Sequence, residues 1–104
     1  MSTLLIRIVT LCALGFCGVA HAEIGYRGGD GTDVARAVVI LGAPNTFAGI
    51  GAEGAWTSRQ HPGWRKKAQA LLSNNGRMYD VITYETADGP RKIWFDITDF
   101  FGKM

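Results

Sequence analysis

Two tight-turn signals, Asn75-Gly76 and Asp88-Gly89, stand thirteen residues apart, with alternating apolar and polar residues on either side. Asn-Gly and Asp-Gly favour two-residue hairpin turns because their central positions take positive φ. The spacing predicts three consecutive antiparallel strands over 64–72, 77–86 and 91–98. Centring the first turn on Asn75-Gly76 pairs Leu72 with Tyr79, Ala70 with Val81 and Ala68 with Thr83. Centring the second on Asp88-Gly89 pairs Glu85 with Lys92, Thr83 with Trp94 and Ile82 with Phe95. The Glu85–Lys92 pair joins opposite charges beside the turn, a modest stabilisation of up to about 1 kcal/mol.

Side chains alternate across a sheet. One face therefore carries Leu71, Met78, Ile82, Tyr84, Ile93, Phe95 and Ile97, and is expected to form the core beneath a helix. The other carries Ala68, Ala70, Leu72, Tyr79, Val81, Thr83, Trp94 and Asp96. Asp80 falls on the core parity, where a carboxylate is costly unless paired. A salt bridge to Arg77 or Lys67, or partial exposure, is the expected resolution.

Upstream, "ARAVVILGAP" (35–44) has a β-branched apolar centre closed by Gly42 and Pro44, and reads as a buried strand. "NTFAGIGAEGAWTSRQHPG" (45–63) reads as a helix, with Asn45 or Thr46 at its start and His61-Pro62-Gly63 at its end. Its three glycines, Gly49, Gly51 and Gly54, each cost about 1 kcal/mol relative to alanine. Ala48, Ala52 and Ala55, with Gly51 beside them, form a small-residue side for close packing, flanked by Phe47 and Trp56. A loop or broken helix over 46–55 is the competing reading. The expected fold is α+β and two-layered: one helix on a mainly antiparallel sheet of about four strands, in the order β-α-β-β-β.

The N-terminus has the form of a signal peptide. Arg7 precedes the apolar run "IVTLCALGFCGVA", and Ala20-His21-Ala22 has the small-x-small form of a cleavage site. Cleavage after Ala22 is expected, followed by a flexible glycine-rich leader over 23–33 and a single domain over 34–104. Both cysteines, Cys12 and Cys17, lie in the signal segment, so the remainder has neither a disulfide nor a thiolate ligand. From residue 23 onward there are ten Lys/Arg and nine Asp/Glu, a net +1. That balance lacks the clustered basic stripe of a nucleic-acid binder, and no membrane span is expected after cleavage. The expected location is periplasmic or secreted.

Chemistry-bearing motifs are sparse. His61 is the one histidine beyond the signal segment, and a zinc site would have to be built almost wholly of carboxylates. No catalytic residue, metal or cofactor is assigned. "GGDGTD" (28–33) matches the start of a calcium-binding nonapeptide, but in one copy where such sites need stacked repeats. A small carboxylate-dependent hydrolase using Asp80, Asp96 or His61 is the enzymatic alternative. It requires at least two of these in one concave site.

With one helix on one face, the opposite face is left with Leu72, Tyr79, Val81 and Trp94 as an apolar patch. Such patches mark association sites, and Tyr and Trp are enriched at binding hot spots. These four residues are the candidate partner-binding set. The expected partner is another envelope or secreted protein, or a second copy in a homodimer. The competing reading is that the tail "DFFGKM", with Phe100 and Phe101, folds back over the patch.

From Tyr79 onward, "YDVITYETADGPRKIWFDIT" resembles the C-terminal hairpin of PepSY-type domains, small exported α+β modules that modulate envelope proteases. The resemblance covers about a quarter of the chain beyond residue 22. It implies a non-enzymatic binding role and transfers no functional residues.

Overall fold

The structure, a computed structural model, describes residues 23–104. The expected signal segment lies outside the described residues. The elements in chain order are β1 (Gly25–Gly28), β2 (Val38–Leu41), α1 (Thr46–Gln60), β3 (Arg65–Asn74), β4 (Arg77–Thr86) and β5 (Gly89–Asp96), with a single 3-10 turn at Val34–Arg36 before β2. The strands form one five-stranded sheet in the order β1-β2-β5-β4-β3. Every neighbouring pair is antiparallel except β2 and β5. The fold is thus α+β, one helix on a mostly antiparallel sheet, with one strand more than expected. The added strand comes from the segment read as a flexible leader: Gly25–Gly28 pairs with Val38–Leu41 at the sheet edge.

The chain leaves β2, crosses the sheet as α1 and returns as β3, so the crossover passes over β5 and β4. Asn45 caps α1 through its side-chain oxygen, which accepts from the Ala48 amide at 2.8 Å. The helix is continuous through its three glycines. Its buried stripe is Gly49, Ala52, Glu53, Trp56 and Thr57, the i, i+3, i+4 spacing of one face. Gly49 lies against the Phe100 ring, whereas Gly51 and Gly54 face open space. The close-packing glycine is therefore Gly49, not Gly51. Of the two expected flanking aromatics, Trp56 is buried edge-on to Phe95, with ring centroids 5.6 Å apart. Phe47 is 88% exposed.

The core parity holds. Ile82, Tyr84, Ile93, Phe95 and Ile97 join Val38, Ile40, Trp56 and Phe100 in one buried cluster under α1. Phe100 reaches it through the C-terminal turn, anchored where the Thr46 amide donates to the Lys103 carbonyl at 3.1 Å. The tail thus packs on the helical side and does not cover the opposite face.

The first hairpin has the expected register, with Leu72 opposite Tyr79 and Ala70 opposite Val81. Asn75 (φ 52°) and Gly76 (φ 78°) both take the left-handed conformation. The second hairpin is displaced by two positions: Thr83 lies opposite Lys92, Ile82 opposite Ile93 and Val81 opposite Trp94. Its turn residues are Ala87 and Asp88, and only Gly89 is left-handed, at φ 98°. Such an arrangement is a turn of ordinary hand closed by a glycine bulge. Thr86 Oγ1 helps fix it, donating to the Gly89 carbonyl at 2.7 Å and accepting from the Asp88 amide at 3.0 Å. A shift of two preserves face parity, so the core is unchanged while the cross-strand pairs differ. Glu85 then meets Lys67, at 3.4 Å, rather than Lys92.

On the face away from α1, Val34 and Ala37, from the segment between β1 and β2, pack on the sheet. Ala37, Tyr79 and Val81 form a second buried cluster, with Val34 and Trp94 packed against it. The Trp94 amide donates to the Gly31 carbonyl at 2.7 Å, which ties this loop to β5. Asp30 accepts from the amide and hydroxyl of Thr32. Asp33 caps the 3-10 turn and pairs with Arg36 at 2.9 Å. Both carboxylates of the calcium-like motif therefore serve local turns.

Candidate functional site

α1 covers β2, β5 and β4 but stops short of β3. All ten residues of β3 are exposed, and among the described residues its outer edge has no neighbouring strand. Its first half carries Arg65, Lys66 and Lys67 and a bulge between Lys66 and Ala68, devices that discourage strand pairing at an edge. Residues 68–74 carry no charge and no bulge. There Leu71 (52% exposed) points to the helical side and Leu72 (42% exposed) to the other.

Between α1 and β3 runs a groove made of two adjoining hollows that share Ile50. The first, about 310 Å³, is lined by Glu53, Gly54, Thr57, Trp64, Lys66 and Tyr84, among others. The second, about 210 Å³, has Gln69, Leu71, Asp80 and Phe101 in its wall. Gly54 leaves open space on the helix side because no side chain projects there.

Two carboxyl groups meet beneath this groove. Glu53, on the buried stripe of α1, is 1% exposed, and Asp80, on the core parity of β4, is 4% exposed. Among the described residues no donor group reaches either Glu53 oxygen, and the polar side chain it meets is the Asp80 carboxyl. Burial, and then the Asp80 carboxylate beside it, push the Glu53 carboxyl up to about 10. Glu53 is thus protonated at neutral pH. Close by, the Thr57 hydroxyl and Tyr84 phenol are hydrogen-bonded at 2.8 Å. Burial raises the Tyr84 phenol, and Thr57 partly offsets this.

The salt bridges expected for Asp80 do not form. Arg77 Nε donates to Asp96 Oδ2 at 2.6 Å, and Lys67 bonds to Glu85. Asp80 is instead resolved by a second acid that carries a proton. Glu53 was not singled out from the sequence, although Gly49, Trp56 and Thr57 flank it at helical spacing. A carboxyl in the middle of an apolar helical stripe is the signal that marks it.

The four residues of the expected partner-binding patch are divided. Tyr79 (7% exposed) and Val81 (6%) are buried by the 34–37 segment. Trp94 is half-buried and Leu72 is exposed. Leu72, Val81 and Trp94 line a shallow hollow of about 170 Å³, which Tyr79 does not reach. The exposed aromatic face is thereby reduced to Leu72 and the rim of Trp94.

The residues of the enzymatic alternative are not gathered. Asp80 is on the helical side. Asp96, whose position is adjacent to the core residue Phe95, points to the opposite side and is held by Arg77 and Thr98. His61 stacks on Trp64 at the end of α1, with centroids 3.8 Å apart. Among the described residues, no group of three or more His, Cys, Asp or Glu side chains is placed to hold a metal ion. No described helix is long and apolar enough to cross a membrane.

The fold and site define a class by architecture: a one-helix α+β domain with a groove along an uncovered edge strand. No protein family matches the chain, and neither a curated protein nor a solved structure matches it.

Proposed function

We propose that this protein is an exported, non-enzymatic binding module that receives an extended segment of another envelope or secreted protein alongside β3. The single observation that carries this reading is the exposure of all ten β3 residues, with an unpaired edge and apolar side chains on both faces. An added strand gains backbone hydrogen bonds along such an edge, and its alternate side chains fill whatever hollows flank it. Here the groove lies on the Leu71 side and the shallow hollow on the Leu72 side. The signal-like residues 1–22 support export, and the likeness of 79–98 to a PepSY-type hairpin favours a modulator over a catalyst. The docking surface is moved from the Tyr79–Val81 face to the β3 edge.

The test is selection of peptides from a random library on the immobilised protein, followed by affinity measurement with Leu71→Lys and Leu72→Lys. Both positions are exposed, so both variants fold. Loss of more than about tenfold in affinity, or about 1.4 kcal/mol, supports the β3 edge. Unchanged binding to both variants rules it out.

A homodimer is the second reading, in the register that sets Arg65 opposite Asn74 of the other copy. Antiparallel pairing of two β3 strands sets Arg65–Lys67 of each copy against the uncharged Leu72–Asn74 end of the other, and no like charges oppose. Sedimentation over a concentration series separates this reading: a dimer dissociates on dilution, and Leu72→Lys shifts it to monomer.

A further inference from the structure

Glu53 and Asp80 together place two carboxyl groups and no cation beneath the groove. Among the described residues, the only cation lining either hollow is Lys66, and its ammonium donates to the side-chain carbonyl of Gln69. We propose that the Glu53–Asp80 pair receives a basic side chain, a lysine ammonium or an arginine guanidinium, carried by the extended segment that docks along β3. The inference rests on the binding reading above and names the chemistry that reading leaves open.

Three arguments converge on a cation. Glu53 lines the first hollow and Asp80 the second, and beyond the proton between the two carboxyls no donor reaches the Glu53 oxygens. A group with several N–H donors reaching between them satisfies both. An anion would add a third negative group to a pair that already holds a proton to limit its own repulsion. The walls, Ile50, Leu71 and Phe101, match the methylene stem of Lys or Arg, whose charged head then sits at the polar floor.

Binding has a protonic signature. Asp80 and Tyr84 face Glu53 from β4, and Lys66 faces it from β3. An arriving cation favours the ionised form of Glu53, so its carboxyl proton leaves to solvent as the ammonium or guanidinium takes its place. Affinity for the basic side chain therefore rises with pH, by up to about tenfold per pH unit while Glu53 is protonated in the free protein.

The experiment is titration calorimetry of the purified protein with capped β-prone peptides that differ at one central residue: Arg, Lys, norleucine or Glu. Repetition in buffers of different ionisation enthalpy reads the proton released. The expected result is tight binding of the Arg and Lys peptides, at least about tenfold weaker binding of the norleucine peptide, and proton release for the basic peptides alone. Glu53→Gln abolishes the proton release and the pH dependence. Should that variant unfold, Asp80→Asn is the second, expected to weaken the Arg peptide more than the norleucine peptide. Equal binding of all four peptides overturns the cation site while leaving the β3 edge standing. Binding of none overturns both. Free butylamine binding as tightly as the Lys peptide overturns the strand-borne source.

Discussion

Phe100 lies against Gly49 so closely that a Cβ at position 49 would stand 2.3 Å from its ring. The contact explains a glycine in the interior of α1 and fixes the C-terminal turn to the helix. Gly49→Ala must displace a fully buried ring, and overpacking of this kind costs about 1–3 kcal/mol. Helix propensity returns only about 1 kcal/mol. Gly51→Ala meets nothing within 4 Å and is expected to stabilise by roughly 1 kcal/mol. Urea unfolding of the two variants should therefore move in opposite directions.

Glu53 makes the fold sensitive to alkali. Its carboxyl is held at about 10 in the fold against an ordinary value of 4.5, so between these the folded state binds more protons than the unfolded chain. Stability is fully present below the lower value and is lost as pH rises toward the upper one, by at most about 1.4 kcal/mol per pH unit. Glu53→Gln carries no such proton. Its melting temperature should decline less than that of the parent between mildly acidic and mildly alkaline buffer, and should exceed the parent's on the alkaline side.

Asp96 acts at the other end of the scale. Burial pulls its carboxyl upward, but Arg77 and the amide and hydroxyl of Thr98 outweigh burial and hold it below the usual range. Its contribution is present above the ordinary aspartate value and is lost as pH falls through the lowered one. Arg77→Ala should shift acid unfolding, followed by circular dichroism, to higher pH. Thr98→Val should shift it the same way.

The hairpins show what a sequence can and cannot specify. Asn75-Gly76 fixed its own register because both residues must be left-handed, and few other pairs tolerate that. Asp88-Gly89 was ambiguous: the pair can fill a two-residue turn with both residues left-handed, or Gly89 alone can be left-handed and close a bulged turn, and Thr86 favours the second. Face parity survived because the slip was even. β1 was hidden because "GYRG" has one apolar side chain, and its partner β2 supplies the pairing. The patch at Tyr79 and Val81 was misread for the same reason, since the cover comes from Val34 and Ala37 in a glycine-rich stretch with no periodic pattern. Glu53 is hidden in the sequence because the alanines suggest a different side of the helix from the stripe that Gly49 and Trp56 set. Asp80 stood out because period-two alternation makes an inward acid plain.

The seam of the sheet joins Val38 to Phe95 and Val39 to Asp96, the one parallel pairing and the one most distant in sequence. Contacts of such long range are slow to form, and this one has no local substitute. A nascent chain that has not yet emerged past the nineties has two separate ribbons and nothing to join them. Completion of the fold therefore waits on β5, and loss of residues 89–104 should be far more damaging than loss of the first strand.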